Sequence, residues 1–84
     1  MKSIKAILKE SSLKLKAKNI TQTPTLEAEI LLAYALKKPK EFLYSNNEYI
    51  LNAKEESLYN NLIQDRLKNR PIAYILQKQR ILRI

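Results

Sequence analysis

Residues 26–38 read LEAEILLAYALKK, and this run decides the fold. Leu26, Ile30, Leu31, Leu32, Tyr34 and Leu36 distribute around a helical wheel, and Ala28, Ala33 and Ala35 fill most of what remains. A helix apolar on every side is either buried in protein or buried in lipid. This one falls well short of the ~20 residues that span a bilayer, so it is predicted to be a central helix with the rest of the chain packed around it. The alanines let neighbouring backbones come close. Thr23-Pro24 matches an N-cap followed by proline at the first helical position, where its missing N–H costs nothing. Glu27 and Glu29 favour the positive end of the helix, Lys37 and Lys38 the negative end, and Pro39 forbids continuation.

Working outward from this hub, Lys2 to about Lys18 predicts an amphipathic helix. Ile4, Ile7, Leu8 and Leu15 share one face with Ser11 between them. Lys2, Lys5, Lys9 and Lys16 gather on a narrow strip of the opposite side and are the candidate partner-binding residues; a merely solvated face is the alternative. Residues 19–23 are turn-like. Downstream, PKEFLYS predicts a short third helix whose Phe42 and Leu43 cover one end of the bundle. Tyr49, Ile50 and Leu51 are expected to form a plug that a loop drops onto the core.

Asn52 followed three positions later by Glu55 has capping-box spacing and opens the next helix. Its apolar arc holds Leu58, Tyr59, Leu62, Ile63 and Leu67, and Arg66 and Arg70 project into the same arc. An arginine on an apolar face buries its stem and takes its guanidinium to a carboxylate or carbonyl. Glu29 or Asp65 is the expected partner of Arg66, in a structural role. Pro71 then breaks the helix and starts a last short turn, Ile72 to Leu76. The expected class is all-α, a small orthogonal bundle of four to five helices around a central apolar helix, spanning residues 1–76.

The chain has 84 residues, enough for one domain. It contains no cysteine, histidine or glycine. Disulfides, thiolate or imidazole metal sites and histidine acid–base chemistry are therefore excluded. So are glycine-dependent phosphate cradles and dinucleotide fingerprints, which need φ > 0 and close backbone approach. Glu27 and Glu29 point to different sides of their helix, and Glu55 and Glu56 sit in a first turn, so no catalytic carboxylate pair emerges. Taken alone, the chain is not expected to be an enzyme. Sixteen Lys and Arg against eight Asp and Glu leave a formal +8, which favours an anionic partner or reflects an AT-rich genome. Lys5 and Lys9 interrupt the N-terminal apolar run, so no signal peptide is read, and a cytoplasmic protein is expected.

Two stretches together are more specific than composition. TPTLEAEILLAYALKKPKEFLY, followed by RLKNRPIAYIL, resembles the N-terminal helical domain of the release factor glutamine methyltransferases, the HemK/PrmC family. The first is similar to the family's core helix. Arg66, Pro71 and Tyr74, within Arg66-x-x-x-x-Pro71-Ile72-Ala73-Tyr74-Ile75-Leu76, are similar to its closing signature and imply a structural closing motif. The resemblance covers about residues 4–79. After Leu76, Gln77 stands where the family has glycine, and Arg80-Ile81-Leu82-Arg83 where Glu-Phe-aromatic-Gly is usual. Residues 77–84 are accordingly the expected start of an interdomain linker with a divergent tail, in which Ile81, Leu82 and Ile84 lack a burying partner.

In the family the S-adenosylmethionine site and an Asn-Pro-Pro-Tyr motif lie further along. Pro24, Pro39 and Pro71 stand singly here, so the resemblance implies no catalytic or cofactor-binding residue in this chain; a truncated gene, a split gene or an artificial boundary would each give this ending. It implies docking of a release factor, with a separately encoded methyltransferase domain as a further partner. The competing reading is a small basic nucleic-acid-binding module. One lysine strip without interleaved aromatics argues against it. A lipid-surface role lacks the Trp or Phe that an interfacial helix uses.

Overall fold

The computed structural model describes residues 2–82, with side-chain surroundings for residues 2–77. In chain order it contains α1 (Ile4–Ala17), α2 (Pro24–Leu36), α3 (Lys40–Ser45), α4 (Ala53–Leu67) and α5 (Ile72–Leu82). Among the described residues there is no strand, only an isolated antiparallel bridge between Ser3 and Ile50. The protein is an all-α bundle. Helix α2 touches each of the other four helices, as a helix apolar on every side requires. Its Ala28, Leu31, Leu32, Ala35 and Leu36 are buried, Ile30, Ala33 and Tyr34 are half-buried, and Leu26 at its start is 42% exposed.

The ends of α2 show how a glycine-free chain terminates helices. Pro24 takes the first helical position as expected, but Thr23 makes no side-chain cap. Its N–H donates instead to the Thr21 hydroxyl (3.1 Å), and the two hydroxyls face each other at 3.4 Å, so the cap is diverted into a local turn. At the other end Lys37 adopts the left-handed conformation (φ 58°, ψ 41°), and the Lys38 N–H closes onto the Ala33 carbonyl at 3.1 Å. Asn19 and Asn69 hold the same conformation just past α1 and α4. Asparagine tolerates it, whereas lysine carries the full steric cost of a β-carbon, about 1 kcal/mol.

Helix α1 begins at Ile4, with the Ser3 hydroxyl accepting the Ala6 N–H (3.2 Å), and buries Ile4, Ile7, Ser11 and Leu15. Its first N–H groups are satisfied by the loop after α3. The Ile4 N–H donates to the Tyr49 carbonyl and the Lys5 N–H to the Asn47 carbonyl, both at 2.9 Å, while the Leu51 N–H returns to the Lys2 carbonyl at 3.1 Å. Of the expected plug, only Leu51 is fully buried; Tyr49 is 38% and Ile50 54% exposed. The segment is extended where it bridges Ser3, and extended backbone sends neighbouring side chains to opposite sides. Ile50 is thereby turned to solvent.

Helix α4 has the predicted capping box. The Asn52 side chain accepts the Glu55 N–H (2.8 Å), and the Glu55 carboxylate accepts the Asn52 N–H (3.0 Å). It buries Tyr59, Leu62 and Ile63. The Tyr59 hydroxyl reaches the Ala28 carbonyl of α2 at a long 3.5 Å, and burial pushes its phenol well above the ordinary value. Helix α5 runs to Leu82 instead of ending at Leu76, since residues 77–82 contain no glycine or proline to stop it. The expectation that Ile81, Leu82 and Ile84 lack a burying partner lies outside the described side chains.

Truncation should read out this hub directly. Leu31→Ala, at a fully buried site, is expected to cost about 2–5 kcal/mol, while Leu26→Ala on the same helix costs less than about 1 kcal/mol. Urea denaturation of the two variants checks this; equal losses would remove α2 from the centre of the core.

Candidate docking surfaces

Of the four lysines read as a strip, Lys5, Lys9 and Lys16 lie on α1 and Lys2 just before it. Lys5, Lys9 and Lys16 are exposed on the helix and have no carboxylate partner among the described residues. Lys2 precedes the helix, so the helical wheel does not place it. Its ammonium pairs with Glu10, which Lys14 also approaches at 4.0 Å. The hydrogen bond from Lys2 holds the Glu10 carboxyl below its usual range. This pair is exposed and contributes little to stability.

At the closing motif, Arg66 finds a partner that sequence reasoning missed. Its Nε donates to Glu27 Oε1 at 2.7 Å, Nη2 to Oε2 at 3.4 Å, and Nη1 to the Arg70 carbonyl at 3.0 Å. The two side chains are only 11% and 16% exposed. Glu29 and Asp65, the expected partners, are engaged elsewhere: Glu29 accepts from the Tyr44 hydroxyl (2.8 Å), and Asp65 from Arg70 Nη1 (3.3 Å). Glu27 and Glu29 lie ~200° apart on α2, so one meets α4 and the other meets α3. A sequence signal did exist, because Glu27 sits one helical turn before the buried Leu31 and shares its face.

Pro71 is exposed and opens α5, its carbonyl accepting the Ile75 N–H at 3.0 Å. Tyr74 is half exposed, with the Arg70 guanidinium 5.9 Å from its ring centroid. The side chain that enters the core from this segment is Ile75, which is fully buried. On a helix, Ile75 lies ~100° around from Tyr74, which accounts for their opposite environments.

A third feature has no counterpart in the linear reading. Two adjoining hollows, of about 280 and 330 Å³, open between the C-terminal end of α2, helix α3 and the first turn of α4, and both are lined by Leu36 and Glu55. Phe42 and Tyr49 meet edge to face in the first (5.8 Å, 73°), and the Lys38 ammonium lies 5.4 Å from the Phe42 centroid. The Tyr49 hydroxyl donates to both Glu55 oxygens (2.9 and 3.2 Å), which raises its phenol above the ordinary value. Lys37, Lys54 and Leu58 line the second hollow. Spacing along the chain gives no warning of a groove assembled from separate elements. Among the described residues, no cluster of His, Cys, Asp or Glu is placed to hold a metal, and no helix is long and apolar enough to cross a membrane.

Comparison with known proteins identifies the class of this bundle. Residues 6–76 match the family profile described as the PrmC N-terminal domain, and the chain belongs to that family. Among curated relatives, it is 45% identical over 74 residues to a bifunctional methyltransferase of Rickettsia bellii, covering 88% of this chain and 13% of that protein. It is 43% identical over 77 residues to the release factor glutamine methyltransferase of Leptospira interrogans, covering 92% of this chain and 27% of that one. The Coxiella burnetii protein of the same name is 40% identical over 76 residues, with 90% and 27% covered. No solved structure matches the chain. The chain thus spans 13% to 27% of the length of these relatives.

The Arg66–Glu27 pair gives a quantitative test. Arg66→Ala should cost about 2–3 kcal/mol, because it leaves a largely buried carboxylate unpaired. A double-mutant cycle with Glu27→Gln should return a coupling of about 1–2 kcal/mol. Arg66→Lys should recover less than half of the loss, since an ammonium cannot reproduce the guanidinium fork. Zero coupling by chemical denaturation would mean that the pair does not hold α4 to α2.

Proposed function

We propose that this chain is a docking domain of the release factor glutamine methyltransferase type, which holds a release factor and performs no chemistry itself. The observation that carries this reading is the family match over residues 6–76, in relatives named for glutamine methylation of release factors. The residues themselves support the non-catalytic part. The chain has no histidine, cysteine or glycine, and Glu27, Glu29 and Glu55 are spent on a cap and on helix-to-helix ties. The absence of glycine, which lets backbone N–H groups approach such a ligand closely, supports placing S-adenosylmethionine elsewhere. In this reading the cofactor binds a methyltransferase domain beyond these residues or encoded separately, and the work is done in the bacterial cytoplasm.

A domain of this kind acts by position. Its binding energy restricts where the release factor can sit, so that a distant glutamine is presented to a catalytic pocket. Exposed Lys5, Lys9 and Lys16 favour nucleic acid as the second reading. The two readings part in salt, because counterion release makes nucleic-acid affinity fall steeply as salt rises.

Titration of the purified chain against a bacterial class I release factor, in moderate and in high salt, tests the proposal. Saturable binding that weakens by less than about tenfold between the two conditions is the expected result. Absence of binding, or tight salt-sensitive binding to RNA in its place, would overturn it.

A further inference from the structure

We propose that the groove between α2, α3 and α4 is the docking site, and that it takes an acidic protein segment bearing one apolar or aromatic anchor residue. This deepens the docking reading, on which it rests for the claim that the partner is a protein.

The floor and the rim of the groove make different demands on an occupant. The floor is Leu36, Phe42 and Tyr49, with Leu58 continuing it along α4. Leu36 is nearly buried, and the two rings are only partly covered, so apolar surface lies at the bottom of a hollow of about 280 Å³. That is room for one leucine- or phenylalanine-sized side chain, the kind of anchor that dominates peptide recognition. The rim is cationic. Lys37 and Lys38 follow the last turn of α2, and Lys54 stands in the first turn of α4; all three are exposed, and none has a carboxylate partner among the described residues.

The one carboxylate that lines the groove does not cancel this rim. Glu55 accepts from the Asn52 N–H and the Tyr49 hydroxyl and keeps its negative charge, but it is one carboxylate against the ammonium groups of Lys37, Lys38 and Lys54. Three ammonium groups facing one carboxylate leave a positive edge around an apolar floor, and the complementary ligand is acidic at its flanks and apolar at its centre. Nucleic acid fits less well, because base stacking needs free ring faces. Here Lys38 sits by Phe42, and Phe42 packs edge to face on Tyr49. The strip on α1 supplies charge without aromatics, since α1 carries no Phe, Tyr or Trp.

The probe is the blocked hexapeptide Asp-Glu-Leu-Phe-Glu-Asp, titrated into the full ¹⁵N-labelled chain while amide shifts are followed. Shifts confined to residues 35–42 and 49–58 are expected. Replacing Leu-Phe by Ser-Ser, or introducing Lys37→Asn together with Lys54→Gln, should each weaken binding about tenfold. Asparagine accepts the left-handed conformation at position 37, so the double variant should fold, with a thermal midpoint within a few degrees of the parent.

Shifts centred on Lys5, Lys9 and Lys16, equal binding of the serine peptide, undiminished binding by the folded double variant, or displacement of the peptide by hexauridylate would each overturn the inference. The release factor titration separates the two claims. Peptide binding in the groove without release factor binding would remove the docking reading and leave the groove assignment standing.

Discussion

A helix of thirteen residues with apolar side chains on nearly every side cannot be left against water, and the rest of this chain is arranged to cover it. Burying each large aliphatic side chain contributes about 1.5–3 kcal/mol, so α2 alone supplies a large share of the favourable energy in a small domain. Helix α1 lays Ile4, Ile7 and Leu15 toward the core, α4 adds Tyr59, Leu62 and Ile63, α3 contributes Leu43, and α5 adds Ile75. None of these shorter faces forms a core by itself. They meet on α2.

The polar chemistry of the interior follows from that crowding. Ser11 is buried and returns its hydroxyl to the Ile7 carbonyl at 2.7 Å, so its presence on an apolar face costs little. Arg66 crosses from α4 to Glu27 on α2 and also takes the Arg70 carbonyl, joining the central helix to the segment that leads into α5. One group is left over. The Tyr34 hydroxyl is buried without a hydrogen-bond partner among the described residues, a local cost of about 1–3 kcal/mol that the surrounding apolar contacts have to offset.

The helices were legible in the sequence to the extent that they depend on local signals. The apolar run of α2, the face of α1, the Asn52–Glu55 box and the breaks near Pro39 and Pro71 are each written in neighbouring residues, and the structure has them. What escaped depends on geometry between elements. Glu27 is a better partner for Arg66 than Glu29 only because α4 passes on that side of α2. Lys2 lies before the start of α1 at Ile4 and pairs with Glu10, and Ile50 turns outward because its segment is extended against Ser3. The groove was invisible for the same reason: Lys37 and Lys38 read as helix-end charges until Phe42, Tyr49 and Lys54 are brought beside them.

The bundle's rigidity originates in α2, the helix that all the others pack against. Native-state hydrogen exchange of the isolated chain measures this most directly. The amides of Leu31, Leu32 and Ala35 are predicted to be among the slowest, exchanging with one common free energy equal to that of global unfolding, while those of α3 and residues 46–51 open more easily. If the α2 amides exchanged as fast as those of α3, the bundle would not be organised around its central helix, and its rigidity would have to come from elsewhere.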